Sequence, residues 1–348
     1  MVYCIGHSII SPLGQGSQAN YEAVRAGRTG LKMHSNRFAD VEPFCASLFE
    51  KPEQFVPLCI RCVEDALGSQ LADLSSQKDT VFILSTTKGD DLDLLTPAQQ
   101  IAKHFGNPNS PVVVSNACTS GVCAQITAMR LLDADLYKHA IIIGCDLQTR
   151  FIVSGFQSFK ALSPEPCKPF SPDRQGLNLG EAAACMVLSY QPSAGSDQMT
   201  WVLEAGSIHN DANHLSAPSR TGEGAFRCLT DVTEGLQPSD ITLIGVHGTG
   251  TLYNDDMEQM AIHRAGLQDV PISALKPHFG HTMGAAGVLE TILCLKIVES
   301  HGVPTSLHSG VSQKSKVESG ESERRLIKML SGFGGVNAAV RWKVKGER

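Results

Sequence analysis

Cys118 lies in Ser115-Asn116-Ala117-Cys118-Thr119-Ser120-Gly121, where an apolar run from Pro111 to Val114 gives way to a helical pattern reaching Met129 and Leu132. A strand-to-helix turn presents its first helical side chain outward, and the free N–H groups and positive end of the helix favour a thiolate. That makes Cys118 a candidate nucleophile, although placement alone leaves metal binding, redox chemistry and hydrolysis open. His247 and His281, each set in a glycine-rich turn far downstream, extend the thiol into a constellation suited to thioester chemistry.

The elements that must position these residues follow an alternation of short β-branched runs with helical segments, the pattern of βα units and mainly parallel sheets. Strands are expected at Val2 to Ile5, Thr80 to Leu84, Val112 to Val114, Ala140 to Ile143 and Ala183 to Leu188. Helices fit Gln18 to Arg25, Val56 to Leu71, Pro97 to Phe105 and Cys118 to Leu132. A polar break at Gln191 to Asp197 is the best boundary, giving halves at 1–190, with the cysteine, and 198–348, with both histidines. Beyond it strands are expected at Trp201 to Ser207, Ile241 to Val246, Ile272 to Ala274, Leu326 to Leu330 and Ala338 to Trp342. Helices are expected at Gly224 to Val232, Asp256 to Ala265 and Gly284 to Val298. The halves look alike in element order without a residue-level repeat, and His308 to Arg325 reads as a solvated loop.

Composition narrows the classes. With 348 residues, 42% of them hydrophobic and 18% charged, the chain can bury a large core. A net charge of -6 and a pI near 6.1 argue against a nucleic-acid binder. The N-terminus, with Gly6 and His7 inside its apolar run, reads as a strand and not a signal peptide, and no apolar stretch approaches the roughly 20 residues of a membrane span. Eleven cysteines, mostly in apolar runs, suit buried reduced thiols of a cytoplasmic protein. Cys59-Ile60-Arg61-Cys62 has the spacing of half a metal site, but no second pair follows, so core packing is its expected role, as it is for Cys123.

Five motifs in order then carry a family resemblance. Asn116-Ala117-Cys118-Thr119-Ser120-Gly121, the Pro169 to Arg174 segment with Gly176 and Gly180-Glu181, His247-Gly248-Thr249-Gly250-Thr251 with Asp255 and Glu258, Lys276 to His281 leading into Gly284-Ala285-Ala286-Gly287, and Gly332 to Asn337 resemble the motifs of β-ketoacyl synthases. The branch is the one with a cysteine and two histidines. The resemblance implies an α/β thiolase-like fold of two similar halves layered α-β-α-β-α. It further implies an acyltransferase, a 3-oxoacyl-[acyl carrier protein] synthase of the elongating type.

In that family Cys118 would carry the acyl group, the amides of Cys118 and Phe333 would form the oxyanion hole, and His247 and His281 would donate to the enolate left by decarboxylation of a malonyl thioester. Lys276 would orient the second histidine, with Glu290 as its partner, and Phe333 would gate the acyl pocket. No cofactor and no metal is implied. The partners implied are an acyl carrier protein, malonyl and acyl thioesters, and a second copy or a related synthase in a dimer. His278 reads as structural, and Asp211 and His214 as an entrance loop without a catalytic role.

Rival readings are separable by residue. A thiolase needs a second C-terminal cysteine, yet the last one here is Cys294; an initiating synthase has asparagine where His281 stands. A chain-length-factor-like partner subunit of a heterodimeric ketosynthase is the main alternative, and the intact Cys118, His247 and His281 argue against it. A cysteine hydrolase needs one base with an orienting carboxylate, not two histidines and a lysine. The segment from Leu84 to Cys118 looks shorter than in typical fatty-acid synthases, which bears on the dimer contact and the acyl pocket.

Overall fold

One five-strand order occurs twice in the computed structural model, which describes residues 1–69, 72–192, 200–300 and 323–345. In the first half β1 (Val2–Ser11), β2 (Thr80–Ser85), β3 (Val112–Val114), β4 (His139–Asp146) and β5 (Ala182–Ser189) pair as β3-β2-β4-β5-β1. In the second, β6 (Thr200–Asn210), β7 (Leu243–Gly245), β8 (Ile272–Ser273), β9 (Glu323–Gly332) and β10 (Val336–Lys345) pair as β8-β7-β9-β10-β6. An antiparallel contact of β1 with β6, Val2 opposite Leu203, joins the two.

The sheet is mixed, where the sequence pattern suggested mainly parallel pairing. β2 runs parallel to β3 and β4, and β7 to β8 and β9, but β5 and β10 oppose both of their neighbours. For β10 the cause is local: a hairpin through Phe333 to Gly335 reverses the chain, and Gly334 and Gly335 adopt the positive φ values (87° and 74°) that such a reversal requires.

The helices are α1 (Ser17–Arg25), α2 (Phe55–Leu67), α3 (Leu95–His104), α4 (Ser120–Asp133), α5 (Arg150–Ser158), α6 (Glu223–Val232), α7 (Leu252–Arg264), α8 (Lys276–Phe279) and α9 (Ala286–Glu299). Strand alternation sorts them into layers, because successive side chains point to opposite faces. Phe82, Ile141 and Val187 pack on α2 and α3, while their neighbours Ile83, Ile142 and Met186 pack on α4 and α9. In the second half Leu326, Val340 and Trp342 meet the other side of α4 and α9, and Ile244, Ile327 and Ala339 meet α6 and α7. The result is the expected α-β-α-β-α stack. Sandwiched between two sheets, α9 is buried almost all round, which is why its sequence shows no polar stripe.

Several boundaries differ from the sequence reading. β1 continues to Ser11 through Gly6, which sits at a bulge in its pairing with β5. α4 begins at Ser120, not Cys118, and α9 at Ala286 after a 3₁₀ turn at Met283–Ala285. α2 stops at Leu67, before Gly68 at φ 55°; positions 70–71 of the expected helix lie outside the described residues. So do positions 193–197 of the polar break and 308–322 of the expected loop. The last three residues of that loop belong to β9 instead, where Glu323 pairs with Lys343 of β10 and Arg325 with Glu204 of β6. Cys59 and Cys62 are buried in α2. α5 and a small sheet of Lys32–His34, Phe44–Ser47 and Leu179–Gly180 were not expected.

Candidate active site

Between β3 and α4 the chain turns tightly, with Ala117 at φ 48°. Ser120 locks the turn: its hydroxyl accepts from the Asn116 amide at 2.8 Å and donates to the Ala117 carbonyl at 2.6 Å. Cys118 is thereby aimed at a cavity of about 400 Å³ between the halves, two residues ahead of the helix. Burial pushes the Cys118 thiol up to about 11, although the Lys276 ammonium and the amides of Cys118 and Phe333 pull the other way.

His281 follows α8, with its own amide held by the Asn178 carbonyl at 2.6 Å. Its Nδ1 lies 3.2 Å from the Met283 amide, which can only donate, so the proton of the neutral ring is on Nε2. That Nε2 is 2.9 Å from the Cys118 sulfur. His247 follows β7, and Glu258 accepts both its amide (2.6 Å) and that of Gly248 (2.7 Å), fixing the turn. The Lys276 ammonium is 3.1 Å from His247 Nδ1 and 2.6 Å from its carbonyl, which again leaves the ring proton on Nε2. The two rings meet edge to face, 5.1 Å apart. Burial, then the positive charge of Lys276 and Lys328, holds both imidazoles well below their ordinary range, so they stay neutral.

Lys276 is fully buried on α8 and contacts Glu290 of α9 at 2.8 Å. The structure therefore joins Lys276 to His247, the first histidine, and not to the second as the resemblance implied. Burial alone raises the Glu290 carboxyl, and Lys276 and Lys328 more than reverse this. Phe333, at the hairpin tip, is partly exposed and stacks on Phe156 at 5.9 Å with Phe159 edge-on at 6.0 Å. Both partners come from α5 and its C-cap. Sequence reasoning missed them, though Ile152, Phe156 and Phe159 recur at helical spacing.

The remaining candidates hold loops and turns together. Asp211 accepts from the amides of Gly224 and Ser219 and from the Asn337 side chain, tying the entrance loop to the hairpin. His214 accepts from Ser216 at the surface, and His278 packs with Nδ1 2.6 Å from the Arg28 carbonyl. Ligand atoms of Cys118, His247 and His281 lie within 4.8 Å of one another, as in a metal triad. Two buried ammonium groups beside them oppose a cation and favour a developing anion.

Family models match both halves of the chain. "Beta-ketoacyl synthase, N-terminal domain" matches residues 64–194 and "Beta-ketoacyl synthase, C-terminal domain" residues 200–310. The 3-oxoacyl-[acyl-carrier-protein] synthase 2 of Rhizobium meliloti (strain 1021) is 30% identical over 299 residues, 78% of this chain and 69% of that one. The chain belongs to the β-ketoacyl synthase family. Nodulation protein E of Rhizobium leguminosarum bv. trifolii is 33% identical over 202 residues, 55% of this synthase-family chain and 49% of its own length. The chain spans about half the length of such nodulation proteins. The β-ketoacyl synthase fold is shared with a chain of the Xenorhabdus doucetiae complex of a ketosynthase with its chain length factor (TM-score 0.83, 24% identity, 99% and 98% of the two chains). A ketosynthase in complex with an acyl carrier protein shares it too (TM-score 0.81, 19% identity, 99% of each chain).

Proposed function

We propose that the protein is a β-ketoacyl-[acyl carrier protein] synthase that condenses an acyl group on Cys118 with a malonyl thioester. The observation that carries this reading is the pair of neutral imidazoles presenting Nε2–H donors into the cavity beside the thiol. In the first half-reaction the Cys118 sulfur attacks the acyl thioester carbonyl, the oxyanion accepts from the amides of Cys118 and Phe333, and the carrier thiol departs with the proton. In the second, carbon dioxide leaves the malonyl group and its bond pair becomes an enolate. His247 and His281 donate to the enolate oxygen. The carbon then attacks the acyl-cysteine, and the C–S bond breaks to return Cys118. Phe333, stacked on Phe156, would gate the acyl channel.

The nucleophile comes from the half at 1–190 and both histidines from the half at 198–348, so neither is complete alone. The partners we assign are an acyl carrier protein, its thioesters and a second synthase-fold subunit. Exposed Leu92 and Phe151, lining a cleft of about 730 Å³ with nearby Leu95, offer that subunit an apolar face. Among the described residues no helix is long and apolar enough to cross a membrane, and all eleven cysteines are free, which suits the cytoplasm.

Intact-mass spectrometry with an acyl-carrier thioester should show the acyl mass on Cys118, and malonyl-carrier should then release carbon dioxide and a 3-ketoacyl product. Cys118→Gln should abolish condensation while keeping malonyl decarboxylation, since the histidines are untouched. A wild-type protein that is not acylated, while a co-purifying relative is, would replace this reading with the partner-subunit one.

A further inference from the structure

Lys328 is a charged side chain in the middle of an apolar strand, and it is fully buried. An isolated ammonium there would cost several kcal/mol, so its surroundings must compensate it. Its ammonium donates to the Val246 carbonyl at 2.8 Å and the Gly245 carbonyl at 3.2 Å, and it forms an ion pair of 2.7 Å with Glu290 Oε2. Lys276 holds the other oxygen of Glu290 and the carbonyl of His247. The two lysines thus grip three successive carbonyls, Gly245 to His247, around one shared carboxylate.

We propose that Lys328 is a positioning residue: by sharing Glu290 with Lys276 it clamps the turn that carries His247 and leaves the buried cluster with one positive charge in excess, which keeps His247 and His281 as neutral Nε2–H donors. Two ammonium groups against one carboxylate give that excess charge. If Glu290 served Lys276 alone, the pair would neutralise and burial alone would oppose protonation of the rings. The other groups facing this cluster are Glu258 beneath the His247 turn, pushed up to about 7 by burial and next to Asp255, Cys294 on α9, and Cys118 with Asp146 on the far side. None supplies a second permanent positive charge. The proposal rests on the enolate-stabilising role given to the histidines above, but its first readout does not.

The test is ¹⁵N-histidine NMR of the whole chain at pH 6 together with the pH profile of malonyl decarboxylation. Wild-type His247 and His281 should show the neutral Nε2–H pattern. Lys328→Met should raise the cationic fraction of the rings and move the acid limb of the profile up by about one pH unit. Lys328→Arg should restore the wild-type pattern. Should Lys328→Met not fold, Glu290→Gln compared with Glu290→Gln/Lys328→Met isolates the same charge: the double variant should protonate more readily than Glu290→Gln. Identical histidine signals within either pair would overturn the role of Lys328. Acylation of Cys118 measured on the same wild-type sample separates the outcomes, because its absence would sink the condensation reading and leave the histidine result standing.

Discussion

At the scale of single residues, the resting site is electrically quiet. Cys118 is a thiol, both histidines are neutral, and the charge is confined to the Lys276, Glu290 and Lys328 cluster behind them. A thiol raised to about 11 ionises only as pH approaches that value, so alkylation of the free protein by iodoacetamide should keep climbing from pH 7 to pH 10. A rate that levels off near pH 8 would mean that the helix end and the two amides outweigh burial. Cys118, His247 and His281 could be singled out in the sequence because each stands beside glycines or small residues that permit a tight turn. Their ionisation was not, since burial depends on what the other half brings over them. Lys328 was equally hidden, because the Glu290 that compensates it lies 38 residues earlier in the chain.

At the scale of elements, the site depends on how closely α4 and α9 cross. A Cβ on Gly287 would stand 2.4 Å from the Val122 amide nitrogen, and one on Gly121 2.7 Å from that of Val288. Backbone cannot swing aside as a flexible side chain can, so Gly287→Ala should destabilise the protein by about 3 kcal/mol, read as a lower urea midpoint. It should also slow acylation, because α4 follows Cys118 and α9 follows His281. β2, β3 and α4 were legible from their periodicity. α5 was not: nine residues interrupted by Gly155 give too short a pattern, and its role emerges only where Phe156 meets Phe333. The small sheet was hidden for a related reason, since two-residue strands such as Leu179–Gly180 carry no alternation to read.

At the scale of the whole molecule, the central core belongs to both halves. Trp342 of the second half donates to Gln125 of α4 in the first at 3.0 Å, and α4 and α9 share one hydrophobic cluster with strands from each side. Residues 1–192 or 200–348 expressed alone should therefore be insoluble or molten by near-UV circular dichroism, whereas co-expression should recover a complex; a cooperatively folded single half would refute this. The doubled strand order has a last consequence. Cys118 lies in the turn from the third strand of the first set to its central helix, and His281 lies in the corresponding turn of the second set. Their 2.9 Å contact sets corresponding turns of the two strand orders face to face. One turn type thus presents a thiol from the first half and an Nε2–H donor from the second.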